Sequence, residues 1–222
     1  MAELLDCIEM QTHSNPTSAV IWLHGLGADG YDFVPVVREL ESAGAPAARY
    51  VFPHAPQIPV TINGGYVMRA WYDILGTELV RREDDARIRD SAAAVERLIE
   101  REAARGVPRQ RIVLAGFSQG GAITLHAGIR SKVPLAGLMP LSTYLPLASV
   151  AQAEATPESR SIPIFMAHGT QDPVVPLARA TASRDQLKAL GYDLEWHEYP
   201  MPHSVNGDEI VAIAAFLKRV LG

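Results

Sequence analysis

The chain has 222 residues, of which 48% are hydrophobic and 20% are charged, and its formal net charge is −5. This composition can fill a sizeable core, and since no linker-like segment interrupts it we expect a single domain over residues 1–222. Acidic and basic residues are not grouped into blocks, which argues against a nucleic-acid partner.

The compartment is indicated by the cysteine count and by the distribution of apolar residues. Cys7 is the one cysteine, so no internal disulfide can form. Residues 1–6 lack the basic and apolar regions of a signal peptide, and no apolar run approaches the ~18 residues that span a bilayer. These features predict a cytoplasmic protein without stable membrane insertion.

Short apolar runs alternate with helical patterns along the chain. Strands are predicted over Ala19–His24, Ala48–Pro53, Arg111–Phe117, Leu135–Leu141, Pro163–His168 and Leu194–Tyr199. Helices are predicted over Tyr31–Ser42, Asp84–Arg105, Gln119–Ile129, Ala178–Leu190 and Asp208–Leu221, the last with Asn206 as its N-cap. This alternation predicts an α/β fold with a mostly parallel sheet covered on both faces, and such sheets bind ligands at the carboxyl ends of their strands.

Ser118 lies at the centre of the sequence Gly116-Phe117-Ser118-Gln119-Gly120, between a predicted strand and a predicted helix. A serine in such a sharp turn exposes its hydroxyl above the sheet, and flanking glycines let the turn close without Cβ clashes. The spacing therefore indicates the nucleophile of an acyl-transfer enzyme.

A serine hydroxyl is a poor nucleophile at neutral pH, and it needs a histidine base that is oriented by a carboxylate. In folds of this type the chain order is serine, acid, histidine. Asp172 lies four residues after a predicted strand, and His203 lies between the last strand and the last helix. We assign these roles to them. The alternative for Asp172 is a helix N-cap with Pro173 at the first helical position.

Residues 25–30 follow the first predicted strand and match G-x-G-x-x-G. A dinucleotide site also needs an acidic side chain about 20 residues further on, but the next strand ends at Pro53-His54 without one. The turn can instead aim a backbone N–H at a developing oxyanion, and we assign this role to the N–H groups of Leu26 and Gln119. A simple βα turn, a nucleotide-binding oxidoreductase and a non-catalytic ligand-binding module stay open as alternatives.

Four motifs and the loop that carries His203 together resemble the small α/β-hydrolase family of bacterial carboxylesterases and acyl-protein thioesterases, also called the phospholipase/carboxylesterase family. The motifs lie at residues 23–30, 69–73, 116–122 and 168–175. The resemblance covers nearly the whole chain. It implies an α/β-hydrolase fold without a separate lid domain, a triad of Ser118, Asp172 and His203, oxyanion donors at Leu26 and Gln119, and no metal or organic cofactor.

The same resemblance implies the substrate class. We expect a serine hydrolase of short- to medium-chain acyl esters, with thioesters, acylated proteins and lysophospholipids as alternative substrates. Residues 54–74 show neither helical nor strand period and are rich in apolar side chains, which is typical of a functional loop. We expect this loop to form an acyl-chain groove with neighbouring residues, in which substrate contacts Leu26, Met68, Trp71 and Val174, and whose walls include Tyr144, Leu145 and Met201.

Two alternatives to the groove remain at this stage. The apolar side chains of residues 54–74 could instead seal a satellite core beneath the loop. Exposed apolar loops also mediate association between chains, so the sequence leaves a homodimer open.

Overall fold

The computed structural model describes residues 4–76 and 81–222. In chain order its strands are β1 (Cys7–Gln11), β2 (Ala19–Leu23), β3 (Arg49–Pro53), β4 (Gln57–Val60), β5 (Tyr66–Arg69), β6 (Ile74–Gly76), β7 (Arg81–Glu83), β8 (Ile112–Phe117), β9 (Gly137–Leu141), β10 (Ile164–Gly169) and β11 (Leu194–Tyr199). Its α-helices are α1 (Val36–Ser42), α2 (Asp85–Ala104), α3 (Gln119–Gly128), α4 (Ala148–Glu154), α5 (Leu177–Ala189) and α6 (Gly207–Leu221).

Seven of these strands form one sheet in the order β1-β3-β2-β8-β9-β10-β11. Every neighbouring pair is parallel except β1 with β3, which is antiparallel at one edge. The predicted mostly parallel sheet of the α/β-hydrolase fold is therefore confirmed. Because β8, β10 and β11 run in the same direction, the loops that follow them emerge at one edge of the sheet.

Alternate residues of the central strands face opposite sides of the sheet, as the pleat requires. In β2, Ile21 packs into a core layer with residues of α2 and α3, whereas Val20 and Trp22 pack into a second layer with residues of α1 and α6. Both faces are thus buried at the centre of the sheet, which explains why β2, β8 and β9 are apolar throughout.

The helix predictions are confirmed closely for α2, α3, α5 and α6, whose ends lie within one residue of the expected positions. The predicted N-cap of α6 is also observed, since Asn206 Oδ1 accepts a hydrogen bond from the Glu209 backbone N–H at 2.9 Å. The predicted start of α1 at Tyr31 is wrong, because the helix begins at Val36, directly after Pro35. Proline disfavours helical backbone in the residue before it, so the segment ahead of Pro35 forms turns instead.

The expectation that residues 54–74 lack strand structure is also wrong. Strands β4 and β5 pair in an antiparallel hairpin in which Val60 lies opposite Tyr66. The hairpin is hard to recognise because each strand has four residues and β4 contains Pro59. Proline is tolerated there because β4 is hydrogen-bonded on one side only. Asp73 holds the hairpin through hydrogen bonds from Thr61, at 2.7 Å from its N–H and 2.5 Å from its hydroxyl.

Candidate active site

Ser118 occupies the single-residue turn between β8 and α3. Its backbone has φ 54° and ψ −117°, a conformation that residues other than glycine rarely adopt. Two hydrogen bonds hold it: the Ser118 N–H donates to the Leu141 carbonyl at 2.9 Å, and the Thr143 hydroxyl donates to the Ser118 carbonyl at 2.6 Å. The end of the neighbouring strand β9 therefore fixes the strained turn.

The glycines that flank Ser118 are required by close backbone packing. A Cβ atom on Gly116 would lie 2.4 Å from the Gly120 carbonyl, and one on Gly120 would lie 2.4 Å from the Leu23 carbonyl. Atoms cannot approach this closely without displacement of the main chain, so the G-x-S-x-G spacing meets a steric requirement of the turn.

Asp172 lies in the loop after β10, with its side chain fully buried. Its Oδ1 accepts hydrogen bonds from the backbone N–H groups of Val174 at 2.8 Å and Val175 at 2.9 Å. Its Oδ2 lies 2.6 Å from His203 Nδ1. The helix N-cap alternative for Asp172 is wrong, because α5 begins only at Leu177.

His203 lies in the loop between β11 and α6. Because its Nδ1–H donates to the Asp172 carboxylate, the Nε2 of the neutral ring is left as the acceptor. The ring packs against Phe117, the residue before Ser118, with 4.7 Å between ring centroids. Within the described residues Ser118 Oγ and His203 form no hydrogen bond, and in ligand-free enzymes such contacts commonly tighten only when substrate binds.

A second histidine, which the sequence analysis did not assign, lies behind Asp172. His168 is fully buried at the end of β10, and its Nε2 is 2.8 Å from the Val175 carbonyl and 3.4 Å from Asp172 Oδ2. Burial lowers the pKa of His168, so the ring is neutral and carries its proton on Nε2. This residue ties the loop of Asp172 to the sheet.

The backbone N–H groups of Leu26 and Gln119, the two positions that the sequence analysis assigned to an oxyanion hole, have no acceptor among residues 4–76 and 81–222. The next N–H along the first turn, that of Gly27, is occupied by the Arg69 carbonyl at 2.9 Å. Gln119 also opens α3, whose positive N-terminal end favours negative charge nearby.

The turn that carries Leu26 is braced by His24. The His24 Nδ1–H donates to the Gly25 carbonyl at 2.7 Å, and its Nε2 accepts the Ala55 N–H at 3.0 Å. Burial lowers the pKa of His24 to about 4, so the ring stays neutral. At the end of the same turn, a Cβ on Gly30 would lie 2.6 Å from the Phe52 carbonyl, so this glycine permits close contact with β3.

The side chain of Gln119 connects the nucleophile turn to the segment after β5, a contact that the sequence analysis missed. Gln119 Oε1 accepts the Trp71 N–H at 2.7 Å, and Gln119 Nε2 donates to the Tyr72 carbonyl at 2.7 Å. No local pattern reveals such a contact, because Tyr72 and Trp71 lie 47 and 48 residues before Gln119 in the chain.

A cleft of about 560 Å³, part of it open to solvent, lies beside Ser118. Its walls combine apolar, aromatic and charged side chains: Leu26, Tyr72, Ile74, Arg82, Glu83, Gln119, Tyr144, Val174, Val175 and Arg179. Leu26 and Val174, two of the four expected substrate contacts, therefore line the cleft.

The other two expected contacts, Met68 and Trp71, do not line it. Trp71 is 2% exposed, and its indole N–H donates to the His24 carbonyl at 2.8 Å, so the ring supports the site from behind. Met68 packs with Leu26 against a small apolar cluster under the hairpin. Leu145 and Met201, expected as groove walls, are likewise buried outside the cleft.

Within residues 4–76 and 81–222, no group of three or more His, Cys, Asp or Glu side chains is placed to hold a metal ion.

Comparison with known proteins identifies similar sequences and folds. The family described as Phospholipase/Carboxylesterase matches residues 6–221. An acyl-protein thioesterase 1 of Neurospora crassa is 42% identical over 215 residues, covering 92% of this chain and 87% of that protein. One of Gibberella zeae is 39% identical, covering 94% of this chain and 92% of that protein.

Two solved structures of plant proteins have the same fold. SOBER1 of Arabidopsis thaliana superposes with a TM-score of 0.86 at 32% identity, covering 92% of this chain and 99% of that one. Acyl-protein thioesterase 2 of Zea mays gives a TM-score of 0.86 at 27% identity, covering 98% of this chain and 99% of that one.

Proposed function

The chain belongs to the phospholipase/carboxylesterase family of serine hydrolases, and we propose that Ser118, His203 and Asp172 form its catalytic triad. The observation that carries the proposal is the 2.6 Å contact between His203 Nδ1 and the fully buried Asp172 carboxylate, next to the strained turn of Ser118. A carboxylate in this position fixes the histidine tautomer that can accept a proton from a serine.

In the proposed reaction Ser118 Oγ attacks the acyl carbonyl while His203 Nε2 takes its proton. The oxyanion accepts hydrogen bonds from the N–H groups of Leu26 and Gln119, which have no other acceptor in the described residues. His203 then returns the proton to the departing alcohol, leaving an acyl group on Ser118. Water, activated by the same imidazole, attacks this acyl-enzyme and releases the acid.

The proposed substrates are short- to medium-chain acyl esters, whose acyl chain would occupy the cleft between Leu26 and Val174. A second candidate activity is hydrolysis of acyl thioesters, because the relatives of 39–42% identity are named acyl-protein thioesterases. A thiolate leaves more readily than an alkoxide, so the same triad serves both reactions. Lysophospholipids are a third candidate, in keeping with the family description.

We also propose that residues 1–222 act as one domain in a reducing compartment, the cytoplasm. Burial raises the pKa of the single cysteine, Cys7, to about 11, so its thiol stays protonated and unreactive. No helix of the described residues is long and apolar enough to cross a lipid bilayer. Association into a homodimer is the remaining proposal about partners, and analytical ultracentrifugation measures it directly.

The nucleophile is tested with a fluorophosphonate probe, which reacts covalently with activated serines. We expect wild-type protein to be labelled and Ser118→Ala to be unlabelled, with its kcat on an aryl butyrate lower by roughly 10⁶-fold. Ser142→Ala is a matched control, since Ser142 also directly follows a strand of the sheet and also has a positive φ, 46°. It should be labelled like the wild type. Labelling that persists in folded Ser118→Ala would disprove the assignment.

A further inference from the structure

Two phenol groups meet in the wall of the cleft. The hydroxyls of Tyr72 and Tyr144 lie 2.8 Å apart, and both residues line the same cleft as Ser118. Tyr72 is 1% exposed and Tyr144 is 8% exposed, so the pair is almost withdrawn from bulk water. Tyr72 is held through its carbonyl, which accepts a hydrogen bond from the Gln119 side chain.

The pair has one more donor than it can use. Each phenol carries one O–H proton, and a single contact between two hydroxyls consumes only one of them. Among residues 4–76 and 81–222, neither hydroxyl donates to any other acceptor, and the Arg179 guanidinium beside Tyr144 can only donate. One phenolic O–H is therefore left without an acceptor in the described protein, although buried donors are nearly always paired.

The unused proton does not dissociate at neutral pH. Burial raises the pKa of Tyr72 well above its usual value and also raises that of Tyr144. Both phenols are consequently neutral, and the pair offers a hydrogen-bond donor to whatever occupies the cleft.

A second buried hydroxyl pair elsewhere in the chain shows how such a pair is completed without a ligand. The Tyr192 hydroxyl lies 2.7 Å from Ser159 Oγ. Ser159 Oγ is in turn 2.8 Å from the carbonyls of Ile129 and Thr156, so both protons have acceptors. Backbone carbonyls fill this role for Tyr192 and Ser159, whereas the described protein supplies none for the cleft pair.

The position of Tyr144 is fixed by neighbouring charges. The Arg179 guanidinium lies 3.3 Å from the centroid of the Tyr144 ring, and it forms an ion pair with Glu83 at 3.3 Å. Glu83 in turn accepts the Leu147 N–H at 2.8 Å. A ring clamped in this way presents its hydroxyl in a defined place.

We propose that this cleft selects acyl groups that carry an oxygen acceptor along the chain, such as an ether, keto or hydroxyl oxygen, which accepts the spare phenolic O–H. The inference rests on the proposed function, since it requires the acyl chain to lie in the cleft beside Ser118. A plain hydrocarbon chain would displace water from the pair and leave its donor unsatisfied, and sites built to bind a polar group discriminate against analogues that lack it.

The test is an oxygen scan of the acyl chain. We compare p-nitrophenyl hexanoate with its 3-oxa, 4-oxa and 5-oxa analogues, and divide each ratio of kcat/KM by the same ratio for hydroxide-catalysed hydrolysis to remove electronic effects. For the wild type we expect one position to be favoured about three- to ten-fold, the size of one neutral hydrogen bond. The preference should disappear in Tyr72→Phe/Tyr144→Phe. Each single variant retains one phenol with a free O–H, so each should retain part of it.

The matched control is Tyr192→Phe, which removes a buried tyrosine hydroxyl outside the cleft and should leave the oxygen preference unchanged. Circular dichroism and thermal unfolding report whether the variants are folded, and p-nitrophenyl acetate serves as a substrate whose acyl chain has no position to scan. A wild type that favours no oxa ester over hexanoate overturns the inference, as does a preference that survives in the double variant. A wild type that hydrolyses none of these esters, acetate included, would instead refute the proposed function.

Discussion

Two carboxylates in the second half of the chain, Asp172 and Glu209, are both buried, but their surroundings are opposite. In the loop after β10, Asp172 accepts hydrogen bonds from two backbone N–H groups and from His203. In the first turn of α6, Glu209 is just as inaccessible, yet neither of its carboxylate oxygens has a hydrogen-bond partner in the described residues. Burial raises the pKa of Glu209 to about 8, so it is neutral at pH 7.

The difference shows what a buried negative charge requires. An ionised carboxylate is stable out of water only when donors surround it, and without them the group takes up a proton instead. The N-cap of α6 is completed by Asn206, which leaves the Glu209 side chain without a capping role. The loop of Asp172 is therefore organised around a charge, whereas the start of α6 tolerates an acid that stays protonated.

We expect the largest effect from Asp172→Asn. This substitution removes the charge, so the side chain at position 172 becomes neutral, as that of Glu209 is. The carbonyl oxygen of the new amide would keep the N–H groups of Val174 and Val175, which places the amide NH₂ against His203 Nδ1. His203 would then have to accept at Nδ1 and carry its proton on Nε2, the wrong tautomer for a base. We expect kcat on an aryl butyrate to fall by about 10⁴-fold with the fold intact by circular dichroism.

The exposed Asp185 provides the control for this substitution, because Asp185→Asn changes the net charge equally but lies on the surface of α5. It should leave kcat unchanged. A kcat of Asp172→Asn within ten-fold of the wild type would show that another group orients His203.

Glu209→Gln tests, through the pH dependence of stability, whether Glu209 is protonated in the folded protein. The pKa of Glu209 is raised in the folded state, so its contribution to stability is fully present below the unfolded value near 4.5 and is lost as the pH rises towards 8. Stability of the wild type relative to Glu209→Gln should therefore decrease between pH 5 and pH 8, by up to about 1.4 kcal/mol per pH unit. Urea unfolding of both proteins at several pH values measures this difference, in which the other titrating groups cancel.

A difference in stability that stays constant across the pH range would contradict the account of Glu209. Asp208→Asn, one residue earlier and exposed, is the matched control. It removes a carboxylate from the same helix turn and should not reproduce the pH dependence.

The surroundings of these two carboxylates also show which features of the protein can be predicted from its sequence. The loop positions of Asp172 and His203 could be predicted because chain order and position after a strand can be read directly from the sequence. The turn at Ser118 could be predicted because its flanking glycines meet a local steric requirement. Six of the seven strands of the sheet were likewise predictable, most of them because continuous apolar runs reflect burial on both faces, whereas the edge strand β1 is only partly buried and was not predicted.

Other features depend on contacts between distant segments and could not be read from local patterns. Trp71 was expected to contact substrate because it is apolar and lies in an irregular segment, but hydrogen bonds to His24 and Gln119 turn it towards the interior. The pairing of Tyr72 with Tyr144 joins residues 72 positions apart. Glu209 follows the pattern of a capping box, and only its surroundings show that the side chain takes no part in the cap.

We expect the smallest effect from substitutions of His168, whose Nε2–H lies beside the Asp172 carboxylate. Its Nε2–H is shared between the Val175 carbonyl and, at 3.4 Å, Asp172 Oδ2, while its Nδ1 has no hydrogen-bond partner in the described residues. His168 therefore forms its polar contacts through Nε2 alone. We treat His168 as a positioning residue, which keeps the loop of Asp172 in register with the sheet.

His168→Phe removes that donor and keeps a ring of similar shape, whereas His168→Gln keeps an N–H close to the original Nε2. We expect kcat to fall about ten-fold in the Phe variant with KM nearly unchanged, since one hydrogen bond near a charged group contributes ~1.5 kcal/mol or more. The Gln variant should recover most of the loss. If packing alone mattered, the aromatic Phe would preserve activity better than the flexible Gln, and this reversed order would show that the surroundings of Asp172 do not depend on the His168 proton.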